Sequence, residues 1–274
     1  MHARAGYDNS FAKTVAGQYL SNITGGNLNV LAQVTVFRIV PWEGAACYQV
    51  PSAAAQASYR RWVDAFAAGI GSARVALILQ PDLPFALCSP DRSVPLGMVA
   101  YAARRFNVLA HTTVYIDAGA AEWSSPGQAA SLLAQAGVRG VRGFALNATQ
   151  DGSTALELEW GARILESLGA RGIRDKHFVI NTAQNGAPFL AGQYPGNSDD
   201  PRVCASRSDR ICATLGIPPT WHTSDPRWGL PPADRMIAAH DADAYLWISR
   251  PWLTNGATVF SLSRALGLAA SSSF

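Results

Sequence analysis

Polar side chains stand directly after several apolar segments of the sequence. Asp82 follows the run from Val75 to Leu79 in the stretch LILQPDLPFALC, and Asp117 ends the stretch TVYID. Three more apolar runs are followed by an amide or a hydroxyl group, at Asn147, Asn181 and Ser249. A carboxyl group in such a place can move a proton to or from a reacting atom, and an amide can hold a polar ligand. Each of these residues could instead cap the helix that follows it.

The motifs of several other chemistries are absent from the sequence. There is no GxSxG nucleophile elbow, no HExxH zinc motif and no GxxxxGK[ST] phosphate loop. The stretch GIGSAR at Gly69 precedes an apolar run, whereas the dinucleotide-binding motif follows a strand. The 5 histidines have no metal-binding spacing, so we expect neither a metal nor a cofactor. Carboxyl groups for proton transfer and aromatic faces for sugar rings remain, and glycoside hydrolysis requires both.

Short strand-like runs alternate with longer helical segments along most of the chain. β-Branched and aromatic runs predict strands at 34–39, 75–79, 113–116, 142–146, 178–180 and 244–248. Alanine- and leucine-rich segments predict helices at 53–68, 96–106, 126–136, 155–168 and 231–240. This order predicts an α/β fold, in which helices pack outside a parallel sheet. In a barrel, the carboxyl ends of all strands face the same opening, so the polar residues named above would converge there.

Length and composition predict one soluble domain over residues 1–274. The chain has 274 residues, a mass of 29.1 kDa and 15% charged residues. Its net charge of +3 comes from scattered arginines, so we expect no nucleic-acid partner. No apolar stretch is long enough to span a membrane, and we expect a monomer. Residues 192–232 are rich in Pro, Gly, Ser and Asp, which is typical of a lid, a binding loop or a disordered segment, here near the cleft.

Six segments together resemble glycoside hydrolase family 6, the inverting β-1,4-glucanases that include cellulases and cellobiohydrolases. They run in register from about Val34 to Gly256 and read LILQPDLPFALC, VYIDAGAAEW, RGFALNAT, FVINTAQNG, LGIPPT and DADAYLWISRPWLTNG. The resemblance implies a distorted, seven-stranded, TIM-like parallel β/α barrel. It implies that Asp82 is the general acid, which protonates the leaving glycosidic oxygen. It also implies that Trp123 stacks on a sugar, and that Asp117 and Asn147 line the cleft.

The four cysteines form no CxxC pair, so two disulfides in an exported protein are favoured over four free thiols in a cytosolic one. The resemblance implies a first disulfide between Cys47 and Cys88. Cys204 matches one half of the family's second disulfide. Ala257 stands where the other half is expected, which leaves Cys212 as the available partner.

The sequence departs from the family pattern at the expected catalytic centre. Asn181 and Ser249 replace an aspartate and a lysine, and Asn255 replaces the carboxylate that is often assigned as the base. The other substituted positions are Phe37, Ala45, Ala46, Ala120, Gln184 and Leu253. Acidic and basic groups are lost together, which avoids leaving one charge of a buried pair unmatched. Either the site is rebuilt for another glycan, or it binds a glycan without cleaving it.

We therefore expect a secreted hydrolase of a β-linked glucan or a related polysaccharide or oligosaccharide, with altered specificity. Asp82 would be the acid, and Glu43, Asp117 or Asp151 the base, at roughly 6.5–9.5 Å from it. The residues expected to contact substrate are Phe37, Trp42, Asp117, Trp123, Asn147, Asp151, Asn181, Ser249, Trp252 and Asn255. The alternative is a carbohydrate-binding homologue that keeps the cleft without activity. Retention of Asp82 favours the enzyme.

Overall fold

The computed structural model describes residues 11–27, 29–253 and 259–274. The chain forms two compact units. The first unit comprises Met1–Ala118, Gly127–Phe144 and Leu168–Lys176, and the second comprises Gly119–Pro126, Ala145–Ser167 and His177–Phe274.

Helices and parallel strands alternate in the first unit. The elements there are α1 (Ala12–Thr24), β1 (Ala32–Val36), α2 (Ala53–Ile70), β2 (Val75–Leu79), α3 (Ser93–Asn107) and β3 (Thr112–Asp117), followed by α4 (Pro126–Gln135). Strand β2 pairs in parallel with both β1 and β3, so that Leu77 lies opposite Val34 on one side and Val114 on the other. All five residues of β2 are buried. This is the burial expected of a central strand in a parallel sheet whose two faces are covered by helices.

The second unit continues the alternation. Strand β4 (Gly143–Leu146) begins in the first unit and ends in the second, which then contains α5 (Thr154–Gly169), β5 (His177–Asn181), α6 (Pro232–Asp241), β6 (Ala242–Leu246) and α7 (Leu262–Ser271). Strands β5 and β6 are parallel, with Ile180 opposite Tyr245. Helix α5 approaches the strands at Gly161, where a Cβ would lie 2.8 Å from the Phe178 ring and 2.9 Å from Leu146. Only glycine allows this close packing.

The described strands lie in one sheet in the order β1-β2-β3-β4-β5-β6. The predicted α/β fold is therefore confirmed, and each predicted strand and helix is present within a few residues of its expected place. The described residues form six strands, not the seven of a closed barrel. The described chain after β6 forms turns and α7 instead of a seventh strand. No described helix is long and apolar enough to cross a membrane.

Candidate active site

Asp82 lies in a strained turn that directly follows β2. Its backbone φ is 63° and that of Gln80 is 55°, in the left-handed region that non-glycine residues rarely adopt. The Gln80 amide donates to the Val36 carbonyl at 2.7 Å, and its side-chain Oε1 accepts from the amides of Arg38 and Ile39, each at 3.3 Å. Strain of this kind persists only where the surroundings impose it, and it concentrates at functional sites. The half-buried Asp82 is therefore held in one place at the carboxyl end of β2.

A disulfide ties this turn to the segment after β1. Cys47 and Cys88 are bonded, with their Cα atoms 4.7 Å apart, which confirms the pairing implied by the resemblance. Cys88 ends a short 3₁₀ helix that starts directly after Asp82, and Cys47 ends another that starts at Glu43. The Glu43 side chain is exposed at the surface of the first unit.

Three more of the expected substrate contacts lie in the first unit. Asp117 is the last residue of β3 and is fully buried, with 0% exposure. Trp42 is buried, and its indole nitrogen has no hydrogen-bond partner among the described residues. Phe37 follows β1 directly and is half-buried. Asp117 is thus presented at the carboxyl end of its strand, as Asp82 is at the end of β2.

Asn147 and Asn181 join the loops that follow β4 and β5. The Asn147 Nδ2 donates to the carbonyls of Gly152 at 3.1 Å and Asn181 at 3.2 Å, while its Oδ1 accepts from the Gly152 amide at 3.1 Å. The Asn181 Nδ2 donates back to the Asn147 carbonyl at 2.9 Å. Both side chains are buried, with 0% and 1% exposure respectively. Their amide groups are therefore engaged within the protein in this structure.

Asn181 also reaches the loop after β6. Its Nδ2 donates to the Ser249 Oγ at 3.1 Å, and its Oδ1 accepts from the amides of Ile248 at 2.9 Å and Ala183 at 3.2 Å. Ser249 is half-buried, as is Trp252 three residues further on. Asn255 lies outside the described residues. One amide side chain thus holds three strand ends of the second unit together.

Asp151 is a buried carboxyl group in the loop after β4. Its side chain is 2% exposed, and Oδ1 has no hydrogen-bond partner among the described residues. Burial raises the pKa of Asp151 to about 7; a hydrogen bond with Gln184 acts against this rise, and the charge of Glu122 adds to it. Asp151 can therefore exchange a proton near neutral pH.

Glu157 is a second buried acid, in the first turn of α5. It is 1% exposed, and its Oε1 accepts a hydrogen bond from the Ala121 amide at 3.1 Å. Burial raises the pKa of Glu157 to about 8, against the effect of the Ala121 hydrogen bond and with that of the Glu122 charge. Ala121 belongs to the loop that carries the half-buried Trp123. The carboxyl group thus binds this loop to α5.

The loop-rich region at 192–232 is held by a disulfide and by Arg264 of α7. Cys204 and Cys212 are bonded, with their Cα atoms 5.1 Å apart, so Cys212 does replace the missing partner. The Arg264 guanidinium donates to the Pro201 carbonyl at 2.9 Å and to the Pro251 carbonyl at 2.6 Å. One arginine therefore joins this region to the loop after β6. No group of three or more His, Cys, Asp or Glu side chains in the described ranges could hold a metal ion.

The sequence matches the family model of glycosyl hydrolases family 6 over residues 43–265. The chain belongs to this family. Endoglucanase A of Cellulomonas fimi is 31% identical over 207 residues, which are 74% of this chain and 37% of that protein. Endoglucanase 1 of Streptomyces halstedii is 30% identical over 177 residues, 63% of this chain and 54% of the relative. The chain thus spans 37% to 54% of the length of these two curated relatives.

A solved structure of the same family has a similar fold. The endoglucanase Cel6 of Mycobacterium tuberculosis, in complex with methyl-cellobiosyl-4-deoxy-4-thio-β-D-cellobioside, superimposes with a TM-score of 0.75 at 27% identity. The match covers 98% of this chain and 84% of that one.

Within this family 6 chain, Glu157 is a buried acid that the sequence analysis did not single out. The signal was present, because Glu157 shares one helical face with Trp160, Ile164 and Leu168, all of them buried. An acid on the apolar stripe of a helix is unusual, since burying its charge is unfavourable unless it is hydrogen-bonded or neutralised.

Proposed function

We propose that the chain is a glycoside hydrolase that cleaves a β-linked glucan with inversion, and that Asp82 is its general acid. The observation that carries the proposal is the placement of Asp82 in a strained turn at the end of β2, fixed by Gln80 and by the adjacent disulfide. Family membership supports the reaction class. The thio-oligosaccharide complex of the Mycobacterium tuberculosis relative supports a β-linked glucose oligomer as the first substrate to test.

In this mechanism Asp82 protonates the glycosidic oxygen as the bond to the anomeric carbon breaks. A second carboxylate removes a proton from the water that attacks the opposite face of that carbon. We propose Glu43, Asp117 or Asp151 as this base. Burial raises the pKa of Asp151 to about 7, a value that suits a base at neutral pH. Glu43 is exposed, as a solvated loop acid would be.

Altered specificity is part of the proposal. The family's charged pair at positions 181 and 249 is here an amide and a hydroxyl, joined by a hydrogen bond of 3.1 Å. The site would therefore lack two charged groups that could hydrogen-bond to sugar hydroxyls. Export to an oxidising compartment is also proposed, because both disulfides form and disulfides persist mainly outside the cytosol.

The test compares the wild-type protein with Asp82→Asn on β-glucans, xylan, mannan and arabinan, and on aryl β-cellobiosides. We expect release of reducing ends with inverted anomeric configuration from at least one glycan. The rate of hydrolysis of that glycan should fall at least about 100-fold in Asp82→Asn. The rate should fall much less for an aryl glycoside, whose leaving group needs no proton. Loss of equal size on both substrates contradicts the role of Asp82. Measurable affinity without release from any glycan would establish the carbohydrate-binding alternative.

A further inference from the structure

Three contacts anchor the loop at residues 119–123 to the rest of the second unit. The Gly119 carbonyl accepts from the Asn147 amide at 2.7 Å, and the Ala121 amide donates to Glu157 Oε1 at 3.1 Å. At the far side, the Glu122 carboxylate accepts from the Ala191 amide at 3.0 and 3.2 Å. The middle contact is the one made by a buried side chain, and it lies two residues before Trp123.

We infer that Glu157 is a positioning residue, whose buried carboxyl group holds the loop at residues 119–123 and so sets where Trp123 lies. The inference rests on the proposed function and on the expectation from the family resemblance that Trp123 stacks on a sugar ring. Glu157 itself does not contact the sugar in this account. It acts through the Ala121 amide.

The surroundings of the Glu157 carboxyl group are shaped to receive it. Gly152 faces it directly: a Cβ there would lie 2.7 Å from Glu157 Oε1 and 3.4 Å from Asn147 Oδ1. The φ of Gly152 lies outside the left-handed region, so its backbone does not require glycine. A side chain at this position would displace the Glu157 carboxyl group from its present place. The absence of a side chain at Gly152 and the acid at Glu157 are thus one arrangement, built from the loop after β4 and the first turn of α5.

The protonation state of Glu157 gives this contact a pH dependence. Burial raises its pKa to about 8, and Glu122 is the charged group that adds to the rise. Oε2 has no hydrogen-bond partner among the described residues. Below about pH 8 the neutral carboxyl group accepts from Ala121 without a buried charge. Above it, burial disfavours the ionised group more than the Ala121 hydrogen bond favours it, and the Glu122 charge adds to the cost. The loop is therefore expected to loosen so that water can reach the carboxylate.

The test uses Glu157→Ala and Glu157→Gln, with Glu159→Gln as the matched control. Glu159 lies two residues away on the same helix and is exposed, in an ion pair with Arg163 at 3.6 Å. Hydrogen exchange of the Ala121 amide reports the contact without reference to activity. We expect exchange at least about tenfold faster in Glu157→Ala, and near-wild-type exchange in Glu157→Gln and the control.

Kinetics with cellopentaose then test the link to Trp123. We expect Glu157→Ala to raise the KM by about tenfold with little change in kcat, because a lost stacking contact is uniform binding. Trp123→Ala should raise the KM to a similar extent. The KM of the double variant should not exceed that of the more impaired single variant, because both substitutions act on one contact. In the wild-type protein the KM should rise above pH 8, where the loop loosens. Glu157→Gln should have the wild-type KM at pH 6 and should not show this rise. If Glu157→Ala does not fold, Gly152→Ala displaces the same carboxyl group and serves in its place.

The outcomes separate this inference from the proposed function. If cellopentaose is bound but not cleaved, the Kd from calorimetry replaces the KM. The same comparison of wild-type, single and double variants then tests the inference. Unchanged exchange at Ala121 in Glu157→Ala, or additive effects of Glu157→Ala and Trp123→Ala, overturns the inference alone. Absence of both cleavage and binding overturns the proposed function and this role together.

Discussion

Asn147 and Asn181 donate to each other's backbone carbonyl, through bonds of 3.2 Å from Asn147 Nδ2 and 2.9 Å from Asn181 Nδ2. The pair is reciprocal and buried, and it joins the ends of β4 and β5. Asn181 replaces an aspartate of the family pattern. The amide makes contacts that a carboxylate cannot make, because an ionised carboxylate only accepts hydrogen bonds.

Restoring the family's aspartate at this position is therefore expected to destabilise the protein. In Asn181→Asp, a carboxylate oxygen would face the Asn147 carbonyl and the Ser249 hydroxyl, where Nδ2 now donates. We expect a loss of roughly 2–4 kcal/mol in the free energy of unfolding at pH 7, measured by urea denaturation. Adding Ser249→Lys should recover part of this loss by supplying a cation. Asn197→Asp is the control, since the Oδ1 of this exposed residue accepts from the Asp199 amide and an aspartate can do the same. A double variant no more stable than Asn181→Asp contradicts the pairing.

The free energy of unfolding is expected to fall as the pH rises from about 4 to 8. Burial raises the pKa of Asp151 from 3.8 to about 7 and that of Glu157 from 4.5 to about 8. In this window the folded chain binds more protons than the unfolded chain, so raising the pH favours unfolding. The stabilising effect is complete below the unfolded-state values and is lost above about pH 8. At about 1.4 kcal/mol per pKa unit, each group accounts for a few kcal/mol.

Urea denaturation at pH 5, 7 and 9 measures this slope. Asp151→Asn and Glu157→Gln each remove one titrating group, so each should reduce the difference between pH 5 and pH 9 by at least about 1 kcal/mol. Glu159→Gln should leave it unchanged. An equal slope in all four proteins would show that neither buried acid is linked to folding.

The two disulfides should differ in what they contribute to stability. They close segments of 41 and 8 residues in sequence separation. Chain-entropy estimates for these lengths are about 4 and about 2.5 kcal/mol. Replacing Cys47 and Cys88 together by serine should therefore lower the melting temperature more than replacing Cys204 and Cys212. The reverse order in differential scanning calorimetry would contradict the entropic account.

Arg264 should control the region at 192–232 through its two carbonyl contacts. Its side chain is 12% exposed, and a lysine in its place can reach only one of the two carbonyls at a time. We expect Arg264→Lys to lower the free energy of unfolding by about 1–3 kcal/mol and to speed tryptic cleavage within this region. Arg163→Lys is the control, because Arg163 is exposed and, among the described residues, forms its ion pair with Glu159 of the same helix. Equal cleavage rates in the two variants would show that Arg264 does not hold the region.

The fold was largely predictable because the signals for it are local. The unbroken apolar run of β2 and its neighbours indicated buried parallel strands, and each strand was found within a few residues of its predicted place. Helices α1 and α7 were not predicted, although α7 begins with a serine N-cap that accepts from Arg264. The position of Asp82 directly after β2 also followed from the sequence, since a strand end is set by its own residues.

The roles of the other polar residues could not be read from the sequence. Asn147 and Asn181 are 34 residues apart, and that they bond to each other depends on how β4 and β5 bring their ends together. The burial of Asp151 and Glu157, and the raised pKa of each, likewise depend on which loops cover them. The sequence by itself determined the α/β order, the strand ends and the residue types offered there. The tertiary structure alone decided which of those groups are engaged by the protein, because hydrogen bonds between distant loops and the exclusion of water arise only when the chain is packed.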